Sequence, residues 1–208
     1  WTTAELSNFF KTGRTDVTAA FGAMAEVVEH STQYMTDSDL DAMSAYLKTL
    51  SPAPGREVML PEKKDVTTQK LLNGEYDSRG AILYNEYCLV CHRADGKGVP
   101  RIFPALDGNS AVYSRHADSV LQIALSGGRM PDTPHDRMAF TMPEFINLSD
   151  EDVAEVVNYI RNSWTNEASK IDVNDVVQMR HFLSKKPKTG TDLAPDLSVP
   201  HAAEGGKP

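Results

Sequence analysis

The 208 residues contain only two cysteines, Cys88 and Cys91, and both stand in the run CLVCH, with His92 directly after the second. Positions i, i+3 and i+4 of a helix share a face, so one turn can present two thiols and an imidazole on the same side. Two cysteines are too few for a disulfide framework, which makes their spacing more informative than their number. Whatever the chain folds into must place that face against a partner group. At 22.9 kDa and 40% hydrophobic residues there is room for one medium domain or two small ones, each with a core.

Helical patterns fall into two groups, separated by a polar, proline-containing stretch expected to be a linker over 52–76. In the first group, Thr2 or Thr3 caps a helix carrying Leu6, Phe9 and Phe10 that stops at Gly13. Thr36 with Asp39 then opens a second helix with the stripe Leu40, Met43, Tyr46, Leu47 and Leu50. The second group begins with a helix from about Asp77, whose Gly80, Ala81, Tyr84, Tyr87 and Cys88 share one face leading into CLVCH. A helix near Asp118 to Leu125 follows, stopped by Gly127 and Gly128. A long irregular segment leads to Leu148, and Ser149 with Asp152 caps a helix whose Val153, Val156, Val157 and Ile160 form a buried stripe. No convincing strand is visible. After Trp164 a helical patch (Val173, Val176, Val177, Arg180, Leu183) gives way to a tail from Ser184 too poor in apolar residues to fold alone.

The two groups repeat one another. Leu6, Phe10, Gly13 and Arg14 match Leu121, Leu125, Gly128 and Arg129; Met24 matches Met142; TDSDL from Thr36 matches SDEDV from Ser149; Tyr46 and Leu47 match Tyr159 and Ile160. The first copy has no counterpart of CLVCH. The expected fold is all-α, a complete domain at 77–165 preceded by a partial copy at 1–51 and followed by an extension and tail at 166–208.

CxxCH is the attachment signature of a c-type haem: both thiols reach the two vinyl groups of one porphyrin and the imidazole points at its iron. Two other readings compete. A structural zinc site wants four ligands, and His116, His135, His181 and His201 are scattered. A thiol-disulfide site wants a βαβ context. A sixth iron ligand, if there is one, has three candidates in the irregular segment, Met130, Met138 and Met142. Met142 is favoured because Pro143 biases it towards extended backbone and Phe140 and Phe145 flank it. With both axial positions filled, electron transfer is favoured over oxygen or peroxide chemistry. A haem enzyme, a peroxidase or sulfur-oxidising cytochrome, would need that position open.

CLVCHRADGKGVPRIFPAL, FTMPEF and LSDEDVAEVVNYIRNSW together resemble a haem domain of the multihaem cytochrome c subunits of bacterial membrane-associated dehydrogenases that oxidise alcohols, aldehydes or gluconate. WTTAELSNFFKTGR, FGAMAEVVEHST and DLDAMSAYLKTL resemble the back two thirds of the preceding haem domain. The resemblance implies Cys88 and Cys91 as thioether attachments of one haem c, His92 as proximal and Met142 as distal ligand, and the Pro104 carbonyl orienting His92. It implies that Gly80 and Tyr84 pack the first helix of the domain against Tyr159 and Ile160. Met24 would be the distal ligand of the preceding haem, but with no second CxxCH that haem has no attachment point within these residues. A polypeptide extending upstream of Trp1 is therefore expected.

The implied role is one-electron relay, without substrate turnover, from a periplasmic dehydrogenase subunit to quinone or an oxidase. A net charge of -8 without a Lys/Arg cluster argues against a nucleic-acid partner. No apolar run reaches the roughly 20 residues of a spanning helix, so any membrane association is expected to be peripheral, through the complex.

Overall fold

Side-chain caps set the starts of several of the helices. In the computed structural model, which describes residues 1–51 and 63–185, α1 (Thr3–Thr12) begins with a reciprocal pair in which Thr2 caps Glu5 and Glu5 caps Thr2, and it ends at Gly13. Helix α2 (Ala23–His30) and a 3-10 turn at Thr32–Tyr34 lead to α3 (Asp37–Thr49), where the Thr36 hydroxyl accepts from the Asp39 N–H at 3.2 Å. A short α4 (Thr67–Leu72) precedes α5 (Arg79–Tyr87), which is capped by Ser78. Helices α6 (Leu89–His92), α7 (Ser110–Tyr113) and α8 (Asp118–Ser126) follow. Strands β1 (Gly128–Arg129) and β2 (Thr141–Met142) pair antiparallel, with Gly128 opposite Met142. Ser149 caps α9 (Asp150–Arg161), and α10 (Val173–Lys185) completes the order.

The fold is mostly helical, as expected, with one correction. The irregular segment before α9 is pinned by the β1–β2 pair and by the Met130 N–H donating to the Phe140 carbonyl at 3.0 Å. Two residues per strand are too short to leave an alternating pattern in the sequence.

The main core is built where α5 crosses α9. Gly80 makes that crossing possible, because a Cβ there would lie 2.5 Å from the Glu155 carbonyl oxygen and 2.6 Å from the Tyr159 Cβ. Tyr84 is fully buried beside it, its ring 5.7 Å from Tyr159 and 5.4 Å from Trp164, and its hydroxyl donates to the Arg93 carbonyl at 2.7 Å. The packing of Gly80 and Tyr84 against Tyr159 thus agrees with the expectation. Arg161 is also fully buried, and it donates to the Val112 carbonyl at 2.7 Å and the Ser169 carbonyl at 3.1 Å, so it binds α7, the end of α9 and the approach to α10 together.

Two segments contribute more to this core than their patterns suggest. Within the stretch expected to be a linker, α4 buries Leu71, and the Thr67 hydroxyl accepts from the Trp164 N–H at 3.1 Å. The helix in the extension buries Val176 and Met179 against the core and leaves Val173 and Val177 partly exposed. Its working face is Val176, Met179 and Leu183, rotated from the stripe chosen by sequence, because polar Gln178 and Arg180 around Met179 obscure the period. Arg180 clamps the same helix to Asp150 at 2.6 Å and to the Ile146 carbonyl at 2.7 Å. The rest of the expected linker, 52–62, and the tail from 186 lie outside the described residues.

Replacing Gly80 with valine should force α5 from α9 and lower unfolding free energy by about 2–3 kcal/mol, seen as a lower denaturant midpoint. Met179→Ala should cost about 2–3 kcal/mol through the cavity it leaves, measured the same way, whereas Val177→Ala should change the midpoint little.

Candidate haem site

Cys88 joins α5 to α6, and α6 carries the rest of CLVCH. Cys88 closes α5, with its N–H bonded to the Tyr84 carbonyl at 2.9 Å, and its carbonyl accepts from both the Cys91 N–H at 3.2 Å and the His92 N–H at 2.9 Å. This one-turn helix sets the two thiols and the imidazole along one cavity wall. Both thiols are free, and burial, with Cys91 nearby, pushes the Cys88 thiol up to about 12. Among the described residues, no group of three or more His, Cys, Asp or Glu side chains is placed to hold a metal ion.

His92 is 8% exposed. Its Nδ1 lies 2.9 Å from the Pro104 carbonyl oxygen, which can only accept, so Nδ1 carries the proton and Nε2 keeps its lone pair. Burial lowers the affinity of the ring for a second proton, and the Pro104 contact opposes that shift. A neutral imidazole with a free, oriented Nε2 is the form that ligates iron.

The cavity has a volume of about 250 Å³. Apolar side chains make most of the wall: Leu106, Val112, Val120 and Ala124 on one flank, Val153, Val156, Val157 and Ile160 from α9 on another. Side-chain cores pack to the density of organic crystals, so a void of this size with apolar walls is space for an apolar group rather than loose packing. The residues fit a covalent porphyrin: two thiols to tether it, a neutral imidazole for one axial position and a thioether for the other.

The three methionine candidates are separated by position. Met142, on β2, and buried Met130 line the cavity. Met138 does not, and it is 58% exposed, with only its backbone carbonyl engaged by Arg14. Met24 lies elsewhere, in a second hollow with Trp1 and Phe9. His116, His135 and His181 are exposed; His201 lies outside the described residues.

Reasoning from the second group alone missed part of the wall. Thr18, Ala19, Ala20 and Phe21, from the loop between α1 and α2, line the cavity beside Cys91 and His92. A backbone bond from the Ala105 N–H to the Val17 carbonyl at 2.8 Å holds that loop against the residue following Pro104. The only signal in the sequence was composition: three small residues followed by an aromatic.

The cytochrome c family model matches residues 78–164. The chain is 38% identical over 182 residues to the cytochrome c subunit of a quinone alcohol dehydrogenase of Gluconobacter oxydans, covering 86% of this chain and 38% of that protein. It is 35% identical over 183 residues to the gluconate 2-dehydrogenase cytochrome c subunit of Pantoea cypripedii, covering 86% of this chain and 41% of the relative. The chain thus spans less than half the length of these two subunits. Cytochrome c-554(548) of Halomonas halodenitrificans is 33% identical over 72 residues, which are 35% of this chain and 78% of that cytochrome. The signature, the buried imidazole and these likenesses agree: the chain belongs to the cytochrome c family, whose members carry covalent haem c and transfer single electrons through its iron.

Proposed function

We propose that this chain is an electron-relaying part of a dehydrogenase's cytochrome c subunit, working in the periplasm, with one haem c held by residues 77–165. Cys88 and Cys91 tether the haem, His92 is its proximal ligand and Met142 its distal one. The observation that carries this reading is the placement of CLVCH and Met142 around one apolar cavity, with His92 oriented by the Pro104 carbonyl at 2.9 Å. Bound there, the haem supplies a reversible one-electron change at iron.

The chain's own residues supply the conditions for that change. The Pro104 carbonyl fixes the tautomer and ring plane of His92. The apolar wall excludes water, and a thioether with an imidazole raises the reduction potential relative to harder ligands. The electron donor is proposed to be a dehydrogenase catalytic subunit and the acceptor quinone or an oxidase, on the strength of the two dehydrogenase relatives. Among the described residues no helix is long and apolar enough to cross a membrane. Met142 is preferred to Met130, which also lines the cavity, because Met142 sits on β2 opposite Gly128 and immediately before Pro143.

Residues 1–51 are proposed to be the back part of a second domain of the same kind, joined through 52–76 and followed after 165 by the docked extension. Met24, in the hollow with Trp1 and Phe9, is the candidate ligand of a haem attached outside these residues. The exposed Tyr46 and Leu47 on α3, counterparts of Tyr159 and Ile160 on α9, support that reading.

Cys88→Ser with Cys91→Ser should abolish covalent haem, measured by intact mass and a pyridine haemochrome count, and leave the domain poorly folded. A colourless product of normal stability would overturn the assignment. Met142→Ala should abolish the weak near-infrared sulfur-iron band and lower the reduction potential, while Met138→Ala leaves both unchanged; retention of the band in Met142→Ala with loss in Met130→Ala would move the ligand to Met130.

A further inference from the structure

Arg14 is fully buried, yet it belongs to the first segment and its side chain ends inside the second. Gly13 lets it enter, since a Cβ at that position would lie 2.3 Å from the Pro131 Cγ. The Arg14 carbonyl is held at its root by Asn8 Nδ2 at 3.0 Å and Thr12 Oγ1 at 3.1 Å.

The guanidinium meets two loops at once. Nη1 donates to the Arg101 carbonyl at 3.2 Å, three residues before the Pro104 that orients His92. Nη1 also donates to the Met138 carbonyl and Nη2 to the Pro131 carbonyl at 2.8 Å, both in the loop running to Met142. Nε lies 3.5 Å from the Asp136 carboxylate, an ion-pair distance without hydrogen-bond geometry, and the same carboxylate accepts from Arg101 Nη2 at 2.6 Å. Only a planar fork reaches acceptors in so many directions; an ammonium is a point charge on a flexible stem. The partnership is reciprocal, for Arg129, the repeat counterpart of Arg14, reaches back to Glu29 at 3.3 Å, and Glu29 accepts from the Asp132 N–H at 2.8 Å.

We propose that Arg14 is a positioning residue for the distal methionine: it ties the Pro104 loop and the Met142 loop to one rigid point in the first segment, so that segment governs how firmly Met142 holds the iron. This rests on the reading of Met142 as distal ligand.

The test is imidazole titration of the ferric haem-loaded protein, followed by loss of the sulfur-iron band. Arg14→Gln should bind imidazole roughly tenfold more tightly than the unaltered protein, the factor that about 1.4 kcal/mol of lost restraint produces. Arg14→Lys, which keeps the charge and loses the fork, should bind it roughly threefold or more tightly, and Asp136→Asn, a milder change should Arg14→Gln fail to fold, roughly threefold. Thr36→Ala, which removes the α3 cap and weakens the first segment without touching either loop, should leave imidazole affinity unchanged. Wild-type affinity in Arg14→Gln or Arg14→Lys overturns the clamp, as does a Thr36→Ala effect equal to that of Arg14→Gln. Absence of the sulfur-iron band in the unaltered protein overturns the ligand assignment and the clamp with it, whereas its presence with unchanged affinities overturns the clamp alone.

Discussion

The rest of the structure depends on a space that side chains leave unfilled. Helices α5 and α9 cross tightly at Gly80, yet beyond that crossing the apolar faces of α8 and α9 diverge around the cavity faced by Cys88, Cys91 and His92. A chain that packed this volume with its own side chains would have no use for CLVCH, and a chain with CLVCH but no such volume could not enclose a porphyrin. The two features require each other, which is why so short a motif constrains so much of the fold.

Orientation of His92 follows from the same economy. Its single hydrogen bond to the Pro104 carbonyl leaves Nε2 as the ring nitrogen without a protein partner, and burial disfavours a second proton on the ring. Pro104 cannot itself donate through its backbone nitrogen, so its carbonyl is its only polar backbone group.

Much of this was legible in the sequence where the signal is local. Thr2, Thr36 and Ser149 cap their helices through contacts three residues on, and the valines of α9 recur at the period of a buried face. The motif and the apolar flanks of Met142 pointed to the site without a structure. What stayed hidden is non-local. Nothing in α4 marks Leu71 as core, because a single buried leucine in a six-residue helix has no period. On α10 the sequence stripe held Val176 and Leu183 but took Val173, Val177 and Arg180 in place of Met179, a choice that only the partner helix decides. Thr18–Phe21 escaped for the same reason: a loop acquires its wall-lining role only from what it leans on, here Ala105.

That borrowed wall bears on the order of assembly. Residues 18–21 emerge before 88–92, but the Ala105 N–H that holds their loop through the Val17 carbonyl comes later still, so this part of the wall closes only after the thiols are in the chain. A split between 51 and 63 would divide the pocket itself, one piece keeping the tether and the other keeping part of the lining. The boundary suggested by the repeat is thus not a boundary of the pocket, whose lining runs across it.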